Sequence, residues 1–451
     1  MTVTFLPSAS APSDIAVSAA RTCYFPNGIV KPEASTAWPR KEALLESIFK
    51  AGHHTTLQHA HVTMLIEGMS RHLIWRLLHA HTYYNSEQIS QRYAKMKQEN
   101  FYYPPQGKRD EWEAFYAQSY ADYEALLEML TPAITPHLPK FRHGQEAKVA
   151  QEMARYVLPV GMSAYLYHTA NIVTLLRYIA VAPTMPEARA EAMEFAALLE
   201  TNLLALDPAL APLIEHAKAS RPTFPTIDII ALKNRIDAQS DVTVYDVVGE
   251  IDASTIGINY ADVLRASQMS HDTNILGGFS TAIRLSFSAD AQNQRHRKSP
   301  AIRPAIEPTY VRDAYTPPLI AQHPQAYALY RASIERSYEF FDAQRARMGF
   351  GEAIYALSNA HRIDIVERND FAAFAHKAQM RLCYNAQQEI YDIVYEQVTQ
   401  LRAMGVAGSQ YLLPPCSVRA AQGIHPICPE GTRYCGVKVW KLDFAHYRRT
   451  F

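Results

Sequence analysis

A mixed α/β fold, built twice in one chain, is what this sequence predicts, on three observations. The apolar run Val62–Ile66 (VTMLI) and the alternating run Val242–Val248 (VTVYDVV) each have the length and character of a strand. Two aromatic-rich helical stretches, 110–130 and 323–349, occupy matching places in the two halves. Landmarks repeat at near-constant spacing: Gln91-Arg92-Tyr93 against Gln294-Arg295-His296, Leu158 against Leu357 and Ala188 against Ala386, with offsets of 203, 199 and 198 residues. A duplicated chain can build within itself an interface that other proteins build from two subunits.

The elements follow in order. Ser70 is placed to cap a helix carrying Leu73, Ile74, Leu77 and Leu78 on one stripe. After the break at Pro104 and Pro105, Trp112, Phe115, Tyr116, Tyr123, Leu126 and Leu127 recur at helical spacing. Further helices are predicted near 144–157, 161–181 and 185–206, the second ending before Pro183, and again at 351–361, 366–382 and 385–403. The Pro-containing stretch SRPTFPT at 220–226 marks a boundary. The expected organisation is a first lobe at 1–220, a second at 221–405 and a Cys/His-containing tail at 406–451.

Length supports two cores, because 451 residues exceed what one comfortable core holds. Lys plus Arg balance Asp plus Glu at 44 each, so no global field recruits nucleic acid or membrane and any anion site must be local. No apolar run is long enough to span a bilayer, and the N-terminus lacks a basic segment followed by an apolar one. Five cysteines, three of them in the last 40 residues, argue for a reducing compartment, so a cytoplasmic location is expected.

Several groups carry chemistry. Ser90 and Arg92 place a hydroxyl beside a guanidinium that can fork two phosphate oxygens; the competing reading is an exposed surface turn. Arg381, inside an otherwise apolar pattern, either reaches the same ligand or makes a surface ion pair. His53, His54, His59, His61, His79 and His81 form a concentration that suits either a cofactor or a metal ion. The basic run 295–298 (RHRK) fits a phosphate, a folate tail, an acidic partner or a solvated loop. In the tail, Cys416, His425, Cys428 and Cys435 are spaced loosely for structural zinc, with buried thiols or a redox pair as alternatives. No P-loop, GxGxxG, GxSxG or HExxH motif is present.

The run 52–93, GHHTTLQHAHVTMLIEGMSRHLIWRLLHAHTYYNSEQISQRY, resembles the signature region of the flavin-dependent thymidylate synthases. Gly52, His53, His59, Glu67, Ser70, Arg71, Ser90, Arg92 and Tyr93 fall in register with that pattern, and AARTCY (19–24), ARYVLP (154–159) and RLCYNAQQEI (381–390) are similar to other segments of it. The resemblance implies an α/β lobe with a central sheet and long helices. It further implies FAD bound at subunit interfaces, with a one-carbon unit passing from methylene-tetrahydrofolate to dUMP and NADPH as reductant. A homodimer of this chain would then form a pseudo-tetramer. The same resemblance assigns His53, His59, Arg71, His79, His81, Gln88 and Arg295 to the cofactor. Ser90, Arg92 and Arg381 fall to catalysis, and these three with Tyr93 and Gln387 to the pyrimidine nucleotide, at one composite site where Ser90 and Arg92 meet Arg381. Two departures stand out. The family's Arg-His-Arg falls on His79, Ala80 and His81, and its uracil-activating arginine falls on Met193 and Tyr391. A metal-dependent enzyme using the histidines and a non-catalytic nucleotide binder are the alternatives.

Overall fold

The computed structural model describes residues 1–80, 83–98, 100–137, 144–224, 227–248 and 277–447. Among them, β1 (Thr2–Phe5), β2 (His61–Ser70), β3 (Tyr84–Gln88) and β4 (Ser163–Asn171) form one sheet in the order β1-β2-β4-β3. A second sheet joins β5 (Val242–Val248), β6 (Gly278–Ser286), β7 (Ala301–Ile302) and β8 (Arg362–Asp370) in the order β5-β6-β8-β7. Every pairing is antiparallel, and the shared order is what a mixed α/β fold of two related lobes requires. Among the described residues no helix is long and apolar enough to cross a membrane.

Two expected helices are corrected. The stretch 161–181 divides into β4 and the helix Ile172–Val181, and 366–382 opens on the end of β8 before the helix Phe371–Arg381. In β4, Leu166 and His168 point inward while Tyr165 and Tyr167 are exposed, a period of two that the apolar residues after it disguise. In β8 the disguise is charge, matched only in three dimensions: Asp364 pairs with Arg284 at 2.6 Å and buried Glu367 with Lys377 at 2.8 Å. The pattern at 351–361 shrinks to the short helix Phe350–Ala353 and the single turn Ile354–Ala356. Ser70 does cap a helix, accepting from the Leu73 N–H, but that helix is only Arg71–Arg76.

Sheet register also corrects one landmark. Ser70 pairs with Ser163 and Ser286 with Arg362, which aligns β4 with β8. Ser86 lies opposite His168 and Ala301 opposite Glu367, so Ala301 is the counterpart of Ser86. Counting onward, Arg92 corresponds to Glu307, whereas Arg295-His296-Arg297 falls on the stretch of His79 and Ala80. Gln91–Tyr93 and Gln294–His296 are therefore not equivalents. The other two landmarks stay in register.

The lobes join by reciprocal exchange. Val160 N–H donates to Leu357 C=O at 2.8 Å and Asn359 N–H to Leu158 C=O at 2.9 Å; Gly161 donates to Tyr355 and Ala360 to Tyr156, each at 3.0 Å. A Cβ on Gly161 would lie 2.9 Å from the Tyr355 carbonyl, so the crossing demands glycine there. The long helices Arg109–Ile134 and Pro324–Met348 pack face to face, with Phe115 stacked on Phe340 at 4.2 Å and Arg336 paired with Asp122 at 2.6 Å. The tail is no separate body: Leu412, Cys435, Val439 and Tyr447 share a core with Phe371, Tyr391 and Val398.

Two buried carboxylates anchor this junction. Glu191 accepts from Ser70 N–H at 2.7 Å, Ser70 Oγ at 2.5 Å and, across the junction, Tyr355 OH at 3.0 Å. Glu389 accepts from Ser286 N–H at 2.7 Å, Ser286 Oγ at 2.5 Å and Tyr156 OH at 2.7 Å. Burial pushes the Glu191 carboxyl up to about 7 despite these donors, and pushes Glu389 upward as well. Replacing Ser70 with Ala removes a helix cap and a carboxylate donor together, and should lower stability by about 2 kcal/mol in urea unfolding. Between pH 4.5 and about 7 native Glu191 keeps a proton that the unfolded chain releases. Wild-type stability relative to Glu191→Gln should therefore fall as pH rises through that window, by up to about 3 kcal/mol, and level off above it. A difference between the two proteins that stays flat with pH would refute this.

Candidate functional site

The turn after β3 brings the predicted residues to an outer corner of the junction. Ser90 Oγ accepts from Arg92 N–H at 3.2 Å, and the Ser90 carbonyl accepts from Tyr93 and Ala94, a tight turn that throws Arg92 toward the second lobe. Arg92 donates through Nε to Glu152 at 2.6 Å, through Nη2 to the Asn385 carbonyl at 2.8 Å and through Nη1 to Gln292 Oε1 at 3.4 Å. Arg381 donates to His296 Nε2 and to the Gln292 carbonyl, both at 2.8 Å. Gln292 thus bridges the two arginines that the sequence placed at one composite site. Among the described residues Arg381 is held by these neutral acceptors; burial, then Arg92 and Arg295, lowers it to about 10. A cleft of about 300 Å³ opens here, lined by the cations Arg92, Lys148 and, from the tail, Arg433, by the carboxylates Glu152 and Glu430, and by Tyr93. Two clustered guanidiniums beside an open cleft suit an anionic ligand.

Gln387, expected to touch the nucleotide, is instead buried behind the corner. It accepts from Gln292 and donates to Tyr156 OH and, at 3.2 Å, to Ser288 Oγ. The chain Arg92–Gln292–Gln387–Tyr156–Glu389 ties the corner to the junction carboxylate. Gln292 and Tyr156 are the residues sequence reasoning missed, since neither matches a motif.

The pseudo-equivalent corner is sealed. Glu187 stands where Asn385 stands, Arg76 where Gln292 stands, and Glu307 where Arg92 stands. Arg76 pairs with Glu187 at 2.6 Å, both side chains 1% exposed, and also donates to the Arg303 and Pro304 carbonyls at 2.8 Å. Phe224 covers the Arg76 guanidinium at 4.5 Å, and Arg303 is spent on Asp290. Among the described residues these charged groups are all engaged with protein partners.

The residues assigned to the cofactor separate into three places. Arg71, His79 and Gln88 line a chamber of about 40 Å³ between the lobes, too small for a flavin ring. Arg295 lies at the edge of β3, donating to the Ser86 carbonyl at 3.1 Å and pairing with Glu87 at 3.0 Å. It opens an intact Arg-His-Arg, so the pattern absent from the first lobe is present in the second, facing the first lobe's strand. His53 lines an open groove of about 680 Å³ on the first lobe with Arg21, Tyr24, Phe25 and Trp38, whose size and ring-bearing walls fit a flavin. His59 is exposed outside that lining, and His81 lies outside the described residues.

The metal readings gain no support among the described residues. Among the described residues no three ligating side chains are arranged to hold a metal ion. The histidines scatter, with His72 and His79 buried and His53, His59 and His61 on the surface. Cys416, Cys428 and Cys435 line one narrow apolar cavity with Cys383, while His425 is exposed outside it. Burial pushes Cys383 up to about 12 and Cys416 up to about 11, so both are held as neutral thiols.

Comparison with known proteins bears on this arrangement. The profile of the family described as thymidylate synthase complementing protein matches residues 5–209 and 275–404, more than half of the chain. The flavin-dependent thymidylate synthase of Clostridium tetani is 26% identical over 170 residues, covering 37% of this chain and 68% of the relative. That of Mycobacteroides abscessus is 32% identical over 170 residues, covering 36% and 64%. That of Mycobacterium sp. strain JLS is 29% identical over 198 residues, covering 43% and 76%. A solved structure of the UMP/dUMP methylase PolB from Streptomyces cacaoi, bound with 5-Br dUMP, covers 49% of this chain and 96% of its own at 20% identity, with a TM-score of 0.37, too loose a likeness to argue from. With one matched segment in each half, the chain belongs to the thymidylate synthase complementing protein family.

Proposed function

We propose that this protein adds a one-carbon unit to dUMP or a closely related pyrimidine nucleotide, with methylene-tetrahydrofolate as donor, NADPH as reductant and FAD as cofactor. Family membership supports the reaction class. The observation that carries the nucleotide assignment is Arg381, whose bonding partners among the described residues are neutral acceptors and whose guanidinium feels the charge of Arg92, the arginine that lines the open cleft. In this reading Arg92 and Arg381 take the phosphate, Ser90 shapes the turn that presents Arg92, and Tyr93 offers a ring at the cleft mouth. A flavin held in the His53 groove supplies a hydride when bound and reduced by NADPH; Arg295 and Arg297, at the edge of β3 and outside that groove's lining, offer a second set of cationic donors.

The uracil-activating group has no counterpart at its aligned positions. Met193 is exposed, and Tyr391 is buried and donates to the Tyr447 carbonyl. Arg177 and Arg189 face solvent. Loss of such a charge-stabilising group slows turnover by roughly 10²–10³-fold, so turnover below that of single-lobed relatives is expected.

The purified protein reconstituted with FAD should show flavin absorbance and bind dUMP. Arg381→Met should weaken dUMP at least about tenfold while leaving deoxyuridine, which lacks the phosphate, unchanged. Equal losses for both ligands would reject the phosphate role, and no flavin uptake would reject the cofactor. Because the second corner is sealed, titration calorimetry should count one dUMP per chain; two per chain would show that the Arg76–Glu187 plug opens.

A further inference from the structure

The chamber between the lobes lies on their pseudo-two-fold axis. Four counterpart pairs line it from both sides: Arg71 with Phe287, His72 with Ser288, Trp75 with Ala291, and Val160 with Asn359. A site on an axis occurs once per chain, unlike the outer corner and its sealed mirror image. Its two guanidiniums, Arg71 and Arg155, both come from the first lobe; their counterparts are Phe287 and Ile354.

Its polar atoms are unusually unsatisfied. Arg71 donates to the Ile89 carbonyl at 2.8 Å and Arg155 to the Glu152 carbonyl at 3.2 Å, yet Arg71 Nε and Arg155 Nη2 have no partner among the described residues. Both ring nitrogens of His72, His79 Nε2, Gln88 Oε1 and Gln294 Oε1 are also unpartnered. His72 is 1% exposed, Gln294 5% and Arg155 6%. Among the described residues no aspartate or glutamate lines the chamber. Arg71 is half-buried and Arg155 buried, and the carboxylates that act on Arg155, Glu152 and Glu389, stand outside the chamber lining, so a cation pair facing this space is costly and unsatisfied donors around it add to that. Burial, then Arg155, pulls Arg71 down to about 9, and burial holds His72 and His79 neutral, so each imidazole brings one N–H donor without a further charge.

We propose that this chamber binds one phosphate-class oxyanion between Arg71 and Arg155. The volume, about 40 Å³, holds on the order of three waters, which a tetrahedral oxyanion would replace. Arginine and histidine N–H groups surround the charged oxygens. Gln88 Oε1 and Gln294 Oε1 accept, which selects an oxyanion that keeps a proton, hydrogen phosphate rather than sulfate. The site goes beyond the nucleotide reading and does not depend on it, because the phosphate can be inorganic or carried by a ligand.

Inorganic phosphate is the probe. Equilibrium dialysis of the full chain at constant ionic strength should give one phosphate per chain that Arg381→Met leaves in place, at least tenfold tighter than sulfate. Arg71→Leu and Arg155→Leu should each weaken it at least tenfold. If those variants fail to fold, phosphate should protect both arginines of the wild type from phenylglyoxal, mapped by peptide mass. Additive binding with dUMP would identify a free phosphate; competition by dUMP but not deoxyuridine would put the nucleotide's own phosphate in the chamber, which supports the chamber and overturns the placement of that phosphate on Arg92 and Arg381. Absence of phosphate binding, binding unchanged in both folded variants, or unprotected arginines would overturn it.

Discussion

The exchange of buried carboxylates across the junction is the constraint on which the rest of the molecule depends. A carboxylate in an apolar interior is costly unless its oxygens are occupied. Glu191 fills its oxygens with Ser70 from its own lobe and Tyr355 from the other; Glu389 does the same with Ser286 and Tyr156. Neither lobe can satisfy its carboxylate alone, so separating them would strand both. The same serines start the helices that follow β2 and β6, which fixes sheet, helix and junction with one side chain each. Tyr156 then passes that order outward through Gln387 and Gln292 to Arg92, so the geometry of the outer corner is set at the junction.

A duplicated chain inherits two copies of every site and is free to keep one. Here the division is physical. At one corner Arg92, paired with Glu152, lines an open cleft and Arg381 behind it is held by neutral acceptors; at the other, Arg76 and Glu187 neutralise each other and three carbonyl or aromatic neighbours close over them. A buried ion pair is a poor source of net stability but a firm plug, since removing either partner leaves a charge in the interior. The intact Arg-His-Arg of the second lobe faces the first lobe's strand, and the first lobe's Ser90 turn faces the second lobe. The functional halves lie in different copies and meet only because the copies are joined.

Much of this was legible in the sequence. The serine caps, the long aromatic helices, β2 and β5 all carry local signals, and the pairing of Ser90 and Arg92 with Arg381 followed from the family pattern. The central strands were not legible because their signal is two-sided. Tyr165 and Tyr167 look like core residues yet face out, and Asp364 and Glu367 look like surface residues yet are paired inside. The misplaced landmark has a similar cause. Gln-Arg followed by an aromatic ring recurs at 91–93 and 294–296, but register is set by strand pairing, which one chain's letters do not display. Gln387 matched a motif and still proved to be a buried link, because a side-chain amide serves a hydrogen-bond chain as readily as it serves a ligand.

The axial chamber and the outer corner share one piece of backbone. Gln91 lines the chamber, where its Oε1 accepts from Asn359 at 3.2 Å and its carbonyl from Gln151 at 3.0 Å; its neighbour Arg92 lines the cleft. Asn359 also donates to the Arg155 carbonyl at 3.0 Å, so the strand of the junction, the chamber arginine and the Ser90 turn are bonded in sequence. Charge in the chamber therefore acts on the corner through geometry and through the field alike. An oxyanion between Arg71 and Arg155 would remove the repulsion these cations exert on each other and lock Gln91. Without one, the turn that presents Arg92 rests on a cavity whose donors have nothing to hold.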